Sequence, residues 1–125
     1  MDIISTPHAP APGGHYSQGV VYNNLVYVAG QLPINPETGE KITGSIEEQA
    51  EQVIKNVAAV LEAAGSSLAK VIKTTVYVTD INLWGRVNEI YSKYFGDFRP
   101  ARAVVPAGPL HYGFLIEMEA IGYID

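Results

Sequence analysis

The chain of 125 residues contains no cysteine. Disulfides, iron–sulfur clusters, thiolate zinc sites and a cysteine nucleophile are therefore outside its chemistry. Basic residues are scarce: eight Lys and Arg stand against 13 Asp and Glu, a net charge of −5. A surface of that sign repels phosphate backbones, and no run of Lys or Arg offers a local exception, which argues against nucleic acid as a partner. No apolar stretch approaches the ~20 residues of a membrane span. The start, Met-Asp-Ile-Ile-Ser-Thr-Pro-His, lacks a basic segment before an apolar block, so it does not read as a signal peptide. The expectation is a cytoplasmic protein without membrane attachment. Also missing are a P-loop, a G-x-G-x-x-G, a G-x-S-x-G and the H-x-E with P-C-x-x-C of zinc deaminases. His8, His15 and His111 share no metal-ligand spacing, so no metal is expected.

What is present is an ordinary globular mixture, 47% hydrophobic and 17% charged, of a length that suits one domain spanning residues 1–125. The Pro/Gly-rich residues 7–14 read as a lead-in. Tyr16–Tyr22 and Leu25–Leu32 are rich in β-formers, and Asn23-Asn24 between them tolerate positive φ, which predicts a tight hairpin. Ser45 followed by Glu48 is a capping box. Apolar residues then recur from Ile46 to Ala64 at helical spacing, with Gly65 at the C-terminal cap. Val71–Thr79 predicts a strand, and Asp80 opens a second helix with Trp84, Val87, Tyr91, Tyr94 and Phe95 on one side. Arg102–Val105 reads as a short strand and Phe114–Ile124 as an alternating one. The order ββαβαββ predicts an α+β sandwich with two helices on one face of a mixed sheet.

Two helices cover one face only. The strands supply a helix-side set of Val26, Val28, Leu32, Ile72, Val76, Val78, Ile116 and Met118. The opposite set contains Leu25, Tyr27, Gln31, Tyr77, Leu115, Glu117, Ile121 and Tyr123. It is too apolar for a solvent face, which predicts burial against another copy of the chain.

Arg102 and Glu117 are equidistant from a turn at Pro109–Leu110. A hairpin centred there would set them opposite each other on one sheet face, with Cβ atoms roughly 5 Å apart. Such a couple could grip a substrate carboxylate with the guanidinium and move protons with the carboxylate. It could equally be a plain cross-strand ion pair, worth ~0–1 kcal/mol where exposed. Asn88 is either a surface residue of the second helix or part of a site lining. Glu47, Glu48 and Glu51 sit in the first turns of a helix, where they complement its dipole.

Several blocks together carry a stronger signal. Gly14-x-Tyr16-Ser17-Gln18, Gly30-Gln31-Leu32-Pro33-Ile34-Asn35-Pro36-Glu37-Thr38-Gly39-Glu40, Val87-Asn88-Glu89-x-Tyr91, Arg99-Pro100-Ala101-Arg102 and Ile116-Glu117-Met118-Glu119-Ala120 follow in order along the chain. In these the sequence resembles the RidA/YjgF family of reactive-intermediate deaminases. The resemblance implies a chorismate-mutase-like fold, a homotrimer with sheets facing inward, and clefts between subunits. It implies hydrolysis of 2-imino or 2-enamino acids to 2-keto acids and ammonia without metal or cofactor. By motif, Arg102 would hold the substrate carboxylate and Glu117 would position or activate water. Tyr16, the Ala29–Gly30 backbone, Asn88 and the backbone around Val104 would line the cleft. Val104 stands where many family deaminases carry Cys, and Leu110-His111-Tyr112-Gly113 replaces their Leu-Pro step. His15 stands where Pro often precedes the tyrosine. Two other readings compete: a small-acid sensor that binds keto acids without turnover, and an endoribonuclease or translation inhibitor, a label often attached to this family.

Overall fold

A computed structural model describes all residues, Met1–Asp125. Six strands form one mixed sheet: β1 (Asp2–Ile4), β2 (Gly19–Tyr22), β3 (Leu25–Gln31), β4 (Val71–Val78), β5 (Ala101–Pro106) and β6 (Ile116–Tyr123). Their spatial order is β1-β2-β3-β6-β4-β5. Helices α1 (Ile46–Ala63) and α2 (Trp84–Phe95) pack on one face. The predicted architecture is therefore the observed one, with β1 as an unforeseen edge strand paired to β2.

Local chemistry sets the boundaries. Asn23 and Asn24 both take positive φ (51° and 61°), the turn that matches a twisted hairpin. Ser45 Oγ accepts from the Glu48 N–H at 3.2 Å, and Gly65 adopts φ 86° just past α1. Asp80 caps a short 3-10 turn over Ile81–Leu83 rather than α2 itself, which starts at Trp84. Arg86 on α2 donates to Glu47 on α1 through Nε and Nη2, at 2.6 and 2.7 Å, joining the helices at their exposed rims.

The core lies between helices and sheet, where Val26, Val53, Val57, Val60, Leu61, Val76 and Met118 are almost wholly buried. Two bulges alter the predicted faces. Ala29 and Gly30 are squeezed in between the pairs Val28↔Ala120 and Gln31↔Met118. That extra residue turns Gln31 inward, where it is buried, and leaves Leu32 half-buried. In β4 the register shifts between Val71 and Lys73, so Val71 is buried and Ile72 is 43% exposed.

The predicted hairpin of Arg102 and Glu117 does not form. β5 runs parallel to β4, with Arg102 opposite Thr74. β6 runs antiparallel on the other side of β4, with Glu117 opposite Tyr77. β4, α2 and β5 thus make a crossover unit, the usual way to join parallel neighbours. The connection from Ala107 to Leu115 passes over the end of β4, where Ala107 N–H donates to Val78 O and Thr79 N–H to Leu115 O.

Candidate functional site

The register places Arg102 and Glu117 on opposite faces of the sheet. Arg102 shares a face with Thr74, which is buried under α2. Glu117 shares a face with Tyr77, between the inward-facing Val76 and Val78, and so looks out from the side that the helices leave bare. Asn88 is on the same side as Arg102: Arg102 Nη1 donates to Asn88 Oδ1 at 2.9 Å.

The first half of the site is built on α2 and the edge strand β5. Trp84, Asn88 and Tyr91 lie four and three residues apart, one face of a helix. Arg102 lies along that face, with its guanidinium carbon 4.7 Å from the Tyr91 ring centre and 5.2 Å from that of Trp84. Tyr91 is fixed from behind by a 2.8 Å hydrogen bond between its hydroxyl and Thr74 Oγ1, and by stacking on Phe95 at 4.3 Å. Burial pushes the Tyr91 phenol up, against the Thr74 hydrogen bond and the Arg102 charge. Arg102 joins none of the ion pairs, which are Lys55–Glu51, Lys70–Asp125 and Arg86–Glu47. A half-buried guanidinium with one amide partner keeps N–H donors free for an anion. Beside it is a cavity of about 570 Å³ also bordered by Phe98 and Arg99. Val104 faces the same side as Arg102 but packs against the core.

The second half is on the bare face. Glu117 is half-buried, and burial raises its carboxyl above the ordinary carboxylate range. The Glu119 charge adds to that rise, and His111 opposes it. Its carboxylate presses on the bulge at Gly30, where an added Cβ would collide with Glu117 Oε2. Ala29 N–H donates to Gln18 O at 2.9 Å, which fixes the bulge to the strand before it. A cavity of about 350 Å³ opens beside Gly30, walled by Tyr16, Leu32, Ile34, His111 and Tyr112. Tyr16 is exposed, and its hydroxyl accepts from the Gly13 N–H at 3.2 Å.

The predicted residues therefore fall into two groups: Arg102, Asn88 and Val104 in one, Glu117, Ala29, Gly30 and Tyr16 in the other. Sequence reasoning missed the amides that shape the second group. Gln18 is buried and donates to the carbonyls of Thr6, Ala9 and Pro10, tying the lead-in beside the cavity. Asn56 donates to Leu32 O and Ile34 O, fixing the cavity wall. Gln49 accepts from the Leu115 N–H at the entry to β6. The available signal was the presence of Gln49 and Asn56 within the apolar stripe of α1, where a buried amide must find partners. No three His, Asp or Glu side chains converge as a metal-ligand set.

Known proteins resemble this chain both in sequence and in its two-helix, six-stranded α+β fold. The model of the family described as endoribonuclease L-PSP matches residues 6–124. A RutC family protein of Pyrococcus abyssi is 51% identical over 122 residues, covering 98% of this chain and 96% of the relative. The 2-iminobutanoate/2-iminopropanoate deaminase of Rattus norvegicus is 45% identical over 119 residues, covering 95% and 87%. The crystal structure of E. coli TdcF with bound serine superimposes with a TM-score of 0.95, at 36% identity and full coverage of both chains. The chain belongs to the endoribonuclease L-PSP family, whose members include the RutC and RidA proteins. No helix is long and apolar enough to cross a membrane.

Proposed function

We propose that this protein hydrolyses 2-imino acids and their enamine tautomers to 2-keto acids and ammonia, in clefts formed between the subunits of a homotrimer. The observation that carries this reading is the separation of Arg102 from Glu117 by the sheet. One copy cannot present both to one small substrate. A second copy laid against the bare face would bring its β5–α2 edge towards the cavity beside Gly30, and a closed three-fold ring would repeat that contact three times. The deaminase name of the rat relative and the serine held by TdcF support a small amino-acid-like ligand.

In this arrangement Arg102 takes the substrate carboxylate through two parallel N–H donors, while Asn88 keeps the guanidinium in place. The imine carbon is already electrophilic, so the protein has to orient it and move protons. Water attacks that carbon as Glu117 accepts one of its protons. The same carboxyl returns that proton to the nitrogen, giving the carbinolamine; it then takes the hydroxyl proton and passes it to the amine as the C–N bond breaks, so that ammonia and the ketone are released. Burial raises the Glu117 carboxyl above its ordinary value, which makes it a stronger proton acceptor than a solvated carboxylate.

The test is direct: freshly generated 2-aminoacrylate is mixed with the protein and keto acid formation is followed. Faster hydrolysis than in buffer is expected, with a loss of roughly 10- to 100-fold in Arg102→Lys, because an ammonium cannot reproduce the two-bond grip. Keto acid binding without turnover would replace the enzyme by a sensor. A ribonuclease reading needs phosphate contacts that a net charge of −5 does not favour, and salt-dependent RNA binding would be its signature.

A further inference from the structure

We propose that Trp84 is a positioning residue for Arg102, a ring that holds the guanidinium in the orientation in which its free N–H edge meets the substrate carboxylate. The substrate's identity rests on the deaminase reading above; the clamp itself rests on geometry. By sequence Trp84 belongs with the apolar side of α2, yet only Val87, Tyr91 and Phe95 of that helix are buried. Trp84 is 45% exposed at the first position of α2, a costly place for the largest apolar side chain unless it has a partner. Its partner is Arg102, whose guanidinium carbon is 5.2 Å from the ring centre.

Three contacts then fix three aspects of the same group. Asn88 takes one Nη1 hydrogen at 2.9 Å. Tyr91, itself locked by Thr74 and Phe95, supports the guanidinium from the buried end of the helix face at 4.7 Å. Trp84, one turn before Asn88, supports it from the exposed end. An arginine on an edge strand otherwise samples many rotamers, and each bidentate contact would have to order it anew. Cations over indole faces are attracted by the ring quadrupole, more strongly as water is excluded. The ring also blocks solvent from one side of the guanidinium without consuming any of its N–H donors. Trp84 touches no reacting atom in this scheme and acts through Arg102.

Trp84 is the only tryptophan in the chain, so its emission reports on its own surroundings. The probe is 2-oxobutanoate, the keto acid that hydrolysis of 2-iminobutanoate would release. Titrated into the assembled protein, it is expected to change Trp84 emission saturably, and not in Arg102→Ala. By calorimetry, Trp84→Leu should weaken binding roughly 5- to 30-fold, and Trp84→Phe no more than about threefold. KM for 2-aminoacrylate should follow the same order while kcat stays within about threefold. A folded Trp84→Leu protein that binds as tightly as wild type overturns the clamp, as does a Trp84→Phe protein as weak as Trp84→Leu. If Trp84→Leu does not fold, wild-type emission indifferent to saturating 2-oxobutanoate overturns it. Failure of the wild type to bind 2-oxobutanoate at all has the same force. Trp84-dependent binding without any imine hydrolysis would sustain the clamp and overturn the deaminase reading alone.

Discussion

Arg102 and Glu117 stand on strands that flank β4 on its two sides, and their side chains leave the sheet by opposite faces. A cross-strand ion pair between them within one copy is excluded by that register. Each is left half-buried without a counter-charge bonded to it, an arrangement that costs stability unless something else fills the role.

Glu117→Gln preserves shape and removes basicity. Keto acid binding should be retained, and imine hydrolysis should fall roughly 10²- to 10⁴-fold, the usual worth of a positioned proton carrier. Calorimetry with 2-oxobutanoate beside initial rates checks this. Unchanged rates would leave Glu117 without a part in proton transfer.

Gly30→Ala tests the fit between the bulge and the carboxylate. The new methyl would occupy the space of Glu117 Oε2, the flexible end of a side chain and not backbone. Glu117 should swing aside at small cost, with stability altered by about 1 kcal/mol or less. Activity should nevertheless drop at least about tenfold, since catalysis depends on where that carboxylate sits. Urea melts and rates on the same sample separate the two effects. A large stability loss would show instead that the backbone has to move.

The rim contact between helices gives a pH dependence of known sign. Arg86 lowers the Glu47 carboxyl from its ordinary 4.5 to about 2, chiefly through its hydrogen bonds. A carboxyl lowered by folding stabilises the fold above its unfolded value and loses that effect as pH falls through the folded one. Wild type should therefore melt slightly above Glu47→Gln at pH 6 to 7, with the gap closing between 4.5 and about 2. Glu47 is exposed, so added salt should shrink the gap as well. A gap that persists at pH 2 would assign it to packing.

The sequence displays those elements whose local signals agree with their packing. The Asn23-Asn24 turn, the Ser45 cap, the α1 stripe and the alternation of β6 all appear as expected. What it conceals is nonlocal. The spacing of Arg102 and Glu117 about Pro109 suits a hairpin, but β6 is captured between β3 and β4, a choice made by long-range pairing. The inward turn of Gln31 depends on the bulge at Ala29–Gly30, and Ile72 is put outside by a bulge in β4. β1 has three residues and no strong pattern of its own, and its pairing to β2 defines it. Within the candidate site, the residue types were legible and their grouping was not. Arg102, Asn88, Tyr16, Gly30 and Glu117 could be picked out by motif, whereas the sheet face of each follows from register.

The central claim is that each working site takes Arg102 from one chain and Glu117 from another. Arg102→Ala and Glu117→Ala proteins, each inactive alone, are unfolded, mixed in equal amounts and refolded. In a randomly mixed three-fold ring, every hybrid trimer regains one intact cleft of its three, so turnover should recover to about one quarter of wild type. Verified hybrid trimers with no turnover above the two parents, or a protein that stays monomeric in light scattering, would contradict it.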